Sequence, residues 1–380
     1  MTTFSPASPR SRLAMSWADI MDVDMCASSD IDTASVVSFE PFGNGSVSSA
    51  TDMQDQASMS SGASVFSMSS SIRAQSFKHE YGRDLNNYSE VYQLPADDEE
   101  LDRLDRQHTM FKEVMGRYPP PMWRVLAEPP PGEQPVACLD LGCGSGCWIL
   151  EVARDFPHCS CVAVDLIPMQ VVDLPPNCRS EIDDINLGLQ HYQDEFNVIN
   201  ARLVASGVRD YAGLVDQASQ ALRPNGLIVF TEFDFTVCGT DKKSIVFDVP
   251  ELSPPYLPRW MSMVRAAVIE RGGEVDAANH LYRWVSEHPL FTDVVYRSFL
   301  FPTSPWFPSD HPDAARMNRA GSLMREDIQT FLRGARPLLL SGGMDEAFVD
   351  AFEQKADEEL RTARLPHFIH VQNVYARRRP

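Results

Sequence analysis

The sequence predicts an α/β protein: a doubly wound, mostly parallel sheet followed by a helical C-terminal cap. Three observations carry this expectation. From Val136 onward, short apolar runs alternate with helix-patterned stretches, the rhythm of parallel strands joined by crossover helices. One of those runs passes directly into an alternating-glycine turn and a helix start, Asp140-Leu141-Gly142-Cys143-Gly144-Ser145-Gly146-Cys147. After Phe235 the rhythm lengthens to that of helices.

The elements follow in order. Residues 1–75 are rich in Ser, Ala, Asp and Met without a sustained period, and too little apolar surface is available there to offset chain entropy, so this segment is expected to be disordered. Its clustered serines are candidate phosphorylation sites. Arg10 and Arg12 resemble a presequence, but Asp19, Asp22 and Asp24 follow at once. Order is predicted to begin near Tyr88, within a helical segment spanning 76–135. There, Asp97-Asp98-Glu99-Glu100 starts a helix with Leu101, Leu104, His108, Phe111 and Met115 on one face, and Pro119-Pro120-Pro121 closes it. The core is expected over 136–235, with strands at 136–141, 161–165, 179–182, 196–201 and 227–233. The helix before the last of these, with Tyr211, Leu214, Val215, Ala218 and Leu222 on one face, is stopped by Arg223-Pro224-Asn225-Gly226. Residues 236–380 form the cap, with helices near 260–271, 277–287, 324–339 and 344–362. Two further strands are expected at 293–301 and 368–375, the second joining the sheet edge antiparallel to the rest.

Composition narrows the function. A net charge of -20 opposes phosphate backbones, so nucleic acid is not expected as a partner. Arg377-Arg378-Arg379 is the one concentrated basic run, and reads as a solvated tail rather than a nuclear address. No apolar run has the roughly 20 residues of a spanning helix, so no membrane role is expected, and an intracellular place, cytoplasm or nucleus, is inferred. Eight cysteines without paired C-x-x-C spacing read as free, mostly buried thiols rather than a zinc site.

The chemistry lies in the glycine string. Gly142, Gly144 and Gly146 allow backbone angles closed to other residues and let a ligand lie against the main chain. Nicotinamide enzymes use G-x-G-x-x-G, whereas this is G-x-G-x-G preceded by Asp140, and no Walker lysine follows. Asp165 closes the next strand at nearly the spacing, about 20 residues, at which a carboxylate takes a ribose diol. An adenosine ligand bearing a carboxylate rather than a pyrophosphate satisfies these residues: S-adenosylmethionine, held by Asp140, Gly142, Cys143, Gly144, Ser145, Gly146, Asp165 and Leu166. The alternative is a glycine turn kept only for packing.

From Tyr88 onward the chain resembles the class I S-adenosylmethionine-dependent methyltransferases, specifically the fungal LaeA-like group of secondary-metabolism regulators and small-molecule methyltransferases. The resemblance rests on Tyr92-Gln93-Leu94-Pro95 with Arg103-Leu104-Asp105-Arg106-Gln107-His108, on the glycine string, on Asp165-Leu166-Ile167-Pro168-Met169-Gln170, and on the passage from Pro175-Pro176-Asn177 to Asp183-Asp184. Segments at 196–202, 222–226 and 302–306 continue it. It implies a Rossmann-like, seven-stranded methyltransferase sheet, with Asp184 and Ile185 flanking the adenine and Asp183 as the competing acid. Ordinary turn capping is the alternative for either. It also places Asn197 and Asn200 near the methyl end, where the family has Asp and the group has His; Arg202 matches. Asn200 enters the cofactor set on that basis, with a loop hydrogen bond as the alternative. Tyr92, Arg103 and His108 would cover the pocket, although for Arg103 and His108 surface pairing and core edge, with Glu99 and Glu100 as helix-spaced partners for Arg103, is the plainer reading.

A sulfonium methyl group is already activated, so the protein need only align an acceptor and exclude water, without metal. Glu232 and Asp234 lie at a strand end, but no catalytic base is assigned. Trp260, Met261, Met263, Trp284, Trp306 and Phe307 either line an acceptor pocket or belong to the core. The acceptor is expected to be a small apolar metabolite; a protein acceptor, or a regulator acting through protein partners, is the competing reading.

Overall fold

The computed structural model describes residues 75–171 and 173–380; the 1–75 segment expected to be disordered lies outside them but for its last residue. Order begins earlier than Tyr88. A hairpin of β1 (Phe77–Glu80) and β2 (Arg83–Asn86) turns through Tyr81 and Gly82, both at positive φ, the two-residue turn that suits strand twist. The Arg83 guanidinium grips the Asp97 carboxylate at 2.6 and 2.7 Å, and Asp97 also caps α1 (Asp98–Met115) by accepting from Glu100 N. A single turn, α2 (Met122–Val125), leads to the sheet.

The sheet is built from β3 (Ala137–Leu141), then α3 (Cys147–Asp155), β4 (Ser160–Asp165), β5 (Cys178–Ile182), β6 (Phe196–Arg202), α4 (Tyr211–Ala221) and β7 (Leu222–Glu232). Regular pairing of β7 with β6 resumes at Val198↔Leu227, so Arg223-Pro224-Asn225-Gly226 bulges out as the predicted stop, with Asn225 at φ 62°. The short β8 (Val237–Cys238) and β9 (Ser244–Ile245) follow. The cap comprises α5 (Tyr256–Glu270), α6 (Ala277–Glu287), β10 (Phe291–Pro302), α7 (Ala314–Ser341), α8 (Glu346–Thr362) and β11 (Phe368–Arg378).

Strand order is β5-β4-β3-β6-β7-β11, with β10 on the far side of β11. The first five are parallel and β11 runs antiparallel; with β10 these make the seven long strands of the doubly wound sheet, and the short β8 and β9 pair on beside β11 to bring it to nine. The last strand does not sit at the edge as expected. It is inserted between β7 and β10, and is buried along most of its length while β10 alternates between buried, half-buried and exposed residues. For the same reason Arg377-Arg378-Arg379 is no free tail: Arg378 ends β11 and pairs with Asp194, and Arg379 N donates to Leu290 O at 2.8 Å.

Three apolar clusters hold these layers. One face of the sheet packs on α2 and α3 through Cys138, Trp148, Ile149, Val198 and Val229. The other packs on α4 and α6 through Leu139, Ile199, Tyr211, Phe230 and Leu281. Above the sheet, α1 and the cap helices share Phe111, Trp260, Leu332 and Phe352.

Candidate functional site

The parallel strands end together at one edge, where open α/β sheets bind ligands. At the end of β3 the turn is left-handed at each of its three glycines, with φ of 66°, 56° and 78° at Gly142, Gly144 and Gly146. A Cβ on Gly142 would lie 2.5 Å from Val204 Cγ1, one on Gly144 2.8 Å from Leu104 Cδ1, and one on Gly146 2.0 Å from Met169 Sδ. The conformation disfavours a side chain at all three, and at Gly142 the stiff, β-branched Val204 also leaves no room for one. The turn is tied to β4 by Cys143 N donating to Val164 O at 3.0 Å and Gly144 N donating to Asp165 Oδ2 at 2.8 Å. Burial raises the Asp165 pKa, and the bond from Gly144 N pulls against that rise.

Beside the turn lies a cavity of about 90 Å³ walled by Gly142, Asp165, Leu166, Asp183, Asp184 and Tyr92, closed by Leu203, Val204 and Gly207. Five of the eleven residues expected at the cofactor thus share one wall. Asp184 Oδ1 accepts from Asn186 N and Nδ2 at 2.9 and 2.8 Å, and Asn186 Nδ2 reaches Gly207 O at 2.8 Å, so the turn after β5 is clasped to the loop after β6. Asp183 Oδ1 accepts from Asp184 N at 2.9 Å, and its Oδ2 lies 3.3 Å from His191 Nε2.

The other expected residues surround this cavity without lining it. Asp140 is buried under the turn; burial pushes its pKa up to about 7, against the bond donated by Asn200 Nδ2 at 2.7 Å. Ser145 faces an open cleft of about 590 Å³ between α1 and α3, with Cys147, whose Sγ donates to Asp105 Oδ1 at 2.7 Å. Cys143, Gly144 and Gly146 form the turn itself. Asn200 lines a separate cavity under α1.

Several expectations need correction. Asn197 is not near this edge: its Oδ1 accepts from Ala137 N at 2.9 Å and Arg223 Nη1 at 2.8 Å, at the opposite end of β3 and β6. Arg103 and His108 are buried rather than surface residues. Arg103 bonds Glu100 at 2.6 and 2.8 Å, as its spacing implied, and also Asp327 of α7 at 2.8 Å. Burial would lower its pKa, yet the two carboxylates outweigh burial and hold it above the ordinary value. His108 is pushed down to about 4, by burial first and then by Arg202, whose Nη1 donates to His108 Nδ1 at 3.2 Å. Glu232 is fully buried: its Oε1 accepts from Val204 N, Ala205 N and Tyr211 OH, and burial pushes its pKa up to about 8. It braces the loop after β6. Asp234 caps its own turn through Thr236 and takes Asn279 Nδ2 at 3.1 Å.

A second cavity, of about 70 Å³, shares Leu203 with the first. Its lining is mostly apolar, including Leu94, Phe233, Phe235, Met261, Phe331 and Ile369, with Arg103, Gln107 and Asp327 on one wall. Of the six residues weighed as an acceptor wall, Met261 lines it. Trp260 and Met263 are core, Trp284 stacks on Tyr211, and Trp306 stacks on Phe307. Leu203, Val204 and Gly207 were not anticipated; their position just past β6 at the ligand edge was the available signal.

The residues present fit S-adenosylmethionine. A glycine turn that closely approaches its neighbours adjoins a pocket lined by Asp165, the last residue of β4, and Asp184, two residues past β5, carboxylates of the kind that accept from the hydroxyls and amine of a nucleoside. Among the described residues no cluster could hold a metal ion, and no helix is long and apolar enough to cross a membrane. Residues 107–288 match the family described as a methyltransferase domain. The secondary metabolism regulator laeA of Coprinopsis cinerea is 41% identical over 304 residues, covering 79% of this chain and 74% of that protein. The methyltransferase pytC of Aspergillus terreus is 28% identical over 289 residues, 73% and 80% of the two chains. The protein-methionine methyltransferase laeA of Emericella nidulans is 26% identical over 237 residues, 62% and 59%. The chain belongs to the LaeA-like group of S-adenosylmethionine-dependent methyltransferases.

Proposed function

We propose that the chain transfers a methyl group from S-adenosylmethionine to an apolar acceptor group seated in the 70 Å³ cavity. The observation carrying this reading is the shared wall: Leu203 lines both this cavity and the one walled by Asp165 and Asp184. When bound, the cofactor supplies a methyl carbon already activated by positive sulfur. The chain's part is then alignment and dryness. Asp165 takes the ribose diol, Asp184 the adenine amine, and the glycine turn lies against the methionyl part, with Asp140, Cys143, Ser145, Leu166, Asp183 and Asn200 completing the cofactor set. Residues 76–135 cover the pocket, 136–235 carry the cofactor and 236–380 close over the acceptor.

The polar groups on the acceptor wall are already engaged: Asp327 accepts from Arg103 and Gln107. Among the described residues lining the cavity no free base is offered, so an acceptor carrying a lone pair without a proton to lose, such as a thioether, suits it best. A small apolar metabolite is the first acceptor class. A regulatory role through protein partners or a methionine side chain is the second, favoured by the names of the 41% and 26% relatives. Incubation of the purified chain with methyl-labelled cofactor and a fungal extract, fractionated by size, tests both. Label in the small-molecule fraction supports the first reading and label in protein the second; no transfer by a folded, cofactor-binding chain contradicts methyl transfer to either class and leaves the role through protein partners.

A further inference from the structure

The cavity under α1 that Asn200 lines has a charge unlike the rest of the molecule. It holds about 50 Å³ and is walled by His108, Lys112, Arg117, Arg202 and Arg297, with no carboxylate in its lining. In a chain of net charge -20, four cationic side chains around one small space, with His108 held neutral beside them, repel one another unless something negative offsets them. Two are already matched: Lys112 pairs with Glu151, and Arg117 with Glu151 and Asp155.

Arg202 and Arg297 have no carboxylate within ion-pair distance among the described residues. Arg202 spends one N–H on His108 Nδ1, and its guanidinium lies 5.5 Å from the Phe111 ring centroid. Arg297 spends one on Met115 O at 3.2 Å and lies 4.7 Å from the Phe299 centroid. A guanidinium carries five donors in a planar fork suited to an oxyanion, so most of this capacity is unused. Burial lowers both side chains from the ordinary arginine pKa, and at Arg202 the nearby charges of Asp140 and Glu151 pull against that fall without reversing it. Thr231 adds a donor: its hydroxyl accepts from Asn373 Nδ2 at 2.8 Å, leaving its own proton free to point elsewhere.

We propose that this cavity is a binding site for a small oxyanion, a carboxylate or phosphate group, gripped by Arg202 and Arg297. The chemistry is shared by two sources. One is a free anion or the acidic end of an acceptor; the other is the carboxylate of the bound cofactor, because Asn200 joins this cavity to Asp140 beneath the glycine turn.

The test is the melting temperature of the full chain in malonate and in inorganic phosphate, each against sodium chloride at equal ionic strength. A ligand of the folded state raises the midpoint with the logarithm of its concentration. The site predicts such a rise in malonate or phosphate beyond chloride, with half-saturation shifted at least about tenfold by Arg297→Met and less by Arg297→Lys, which keeps the charge without the fork. Repeating the titration with saturating S-adenosylhomocysteine separates the sources: a rise that persists assigns a separate anion, and one that vanishes assigns the cofactor's carboxylate. Arg202→Met is the companion variant, and Arg297→Met carries the test alone if that chain does not fold. Equal effects of chloride and malonate, or unchanged half-saturation in a folded Arg297→Met chain, overturn the proposal.

Discussion

Arg103 Nη1 donates to Asp327 Oδ1 at 2.8 Å, joining α1 to α7 across 224 residues of chain, while Glu100 holds the other side of the same guanidinium. The arrangement is a buried triad of one cation between two carboxylates. Removing the cation leaves two enclosed negative charges facing each other, so Arg103→Met is expected to cost about 3–5 kcal/mol. Asp327→Asn leaves Arg103 paired with Glu100 and is expected to cost about 1–3 kcal/mol. Urea denaturation of the two variants checks the order.

Glu232 and Asp140 make stability fall as pH rises through neutrality. Both carboxyls are buried, and burial lifts Glu232 to about 8 and Asp140 to about 7. Below their ordinary carboxyl values the folded and unfolded chains are both protonated at these groups. Above them the unfolded chain releases protons that the folded chain retains, so each group subtracts stability until pH passes its folded value. Urea midpoints measured between pH 7 and 8, above the range in which the lowered pKa of His108 makes stability rise with pH, are expected to fall, and Glu232→Gln is expected to flatten that slope. A wild-type slope unchanged by the substitution would show that Glu232 ionises normally.

Gly142→Ala places a Cβ 2.5 Å from Val204 Cγ1 in a left-handed turn. The conformational strain alone is about 1–2 kcal/mol, and the displaced Val204 carries the clash into the cavity beside Asp165. Cofactor affinity is expected to fall at least about tenfold, a loss of about 1.4 kcal/mol. Adding Val204→Ala is expected to restore part of it, because the clash is relieved while the backbone strain remains. Calorimetry on the single and double variants reads both terms.

Enlarging Met261 tests the acceptor cavity separately from the cofactor. Met261→Trp fills a cavity that Phe233 and Phe331 also line, and Met261 is not among the residues that wall the cavity beside Asp165. Binding of S-adenosylhomocysteine is expected to stay within about twofold, while methyl transfer falls at least about tenfold, or about 1.4 kcal/mol of barrier. Equal losses in both would place the side chain's effect on the fold.

The parallel half of the fold was legible because each signal there is local. Alternating apolar runs placed β3 to β7 within a few residues, and the glycine string with Asp165 marked the ligand edge before any geometry was known. What escaped depends on distant partners. The insertion of β11 between β7 and β10 is settled by which edges remain unpaired once the parallel strands have assembled, and its own residues carry no mark of it. Asn197 and Asn200 are three residues apart on β6, yet one bonds at the start of β3 and the other at its end; the family position alone did not separate them. Arg103 pointed to Glu100 by helix spacing, but Asp327 was out of reach of any sequence window. The β1–β2 hairpin was overlooked because its residues are polar, although Tyr81-Gly82 was a readable turn.

The most direct measurement is calorimetric titration of the full chain with S-adenosylmethionine and S-adenosylhomocysteine, beside Asp165→Ala. Asp165 is the carboxylate held by the glycine turn itself, through Gly144 N at 2.8 Å. Saturable binding at one site per chain, weakened about 10- to 100-fold in the variant, is the predicted result, since a hydrogen bond to a charged group contributes about 1.5–3 kcal/mol. A folded wild-type chain that binds neither compound, or a variant that binds both as tightly as wild type, would contradict the account.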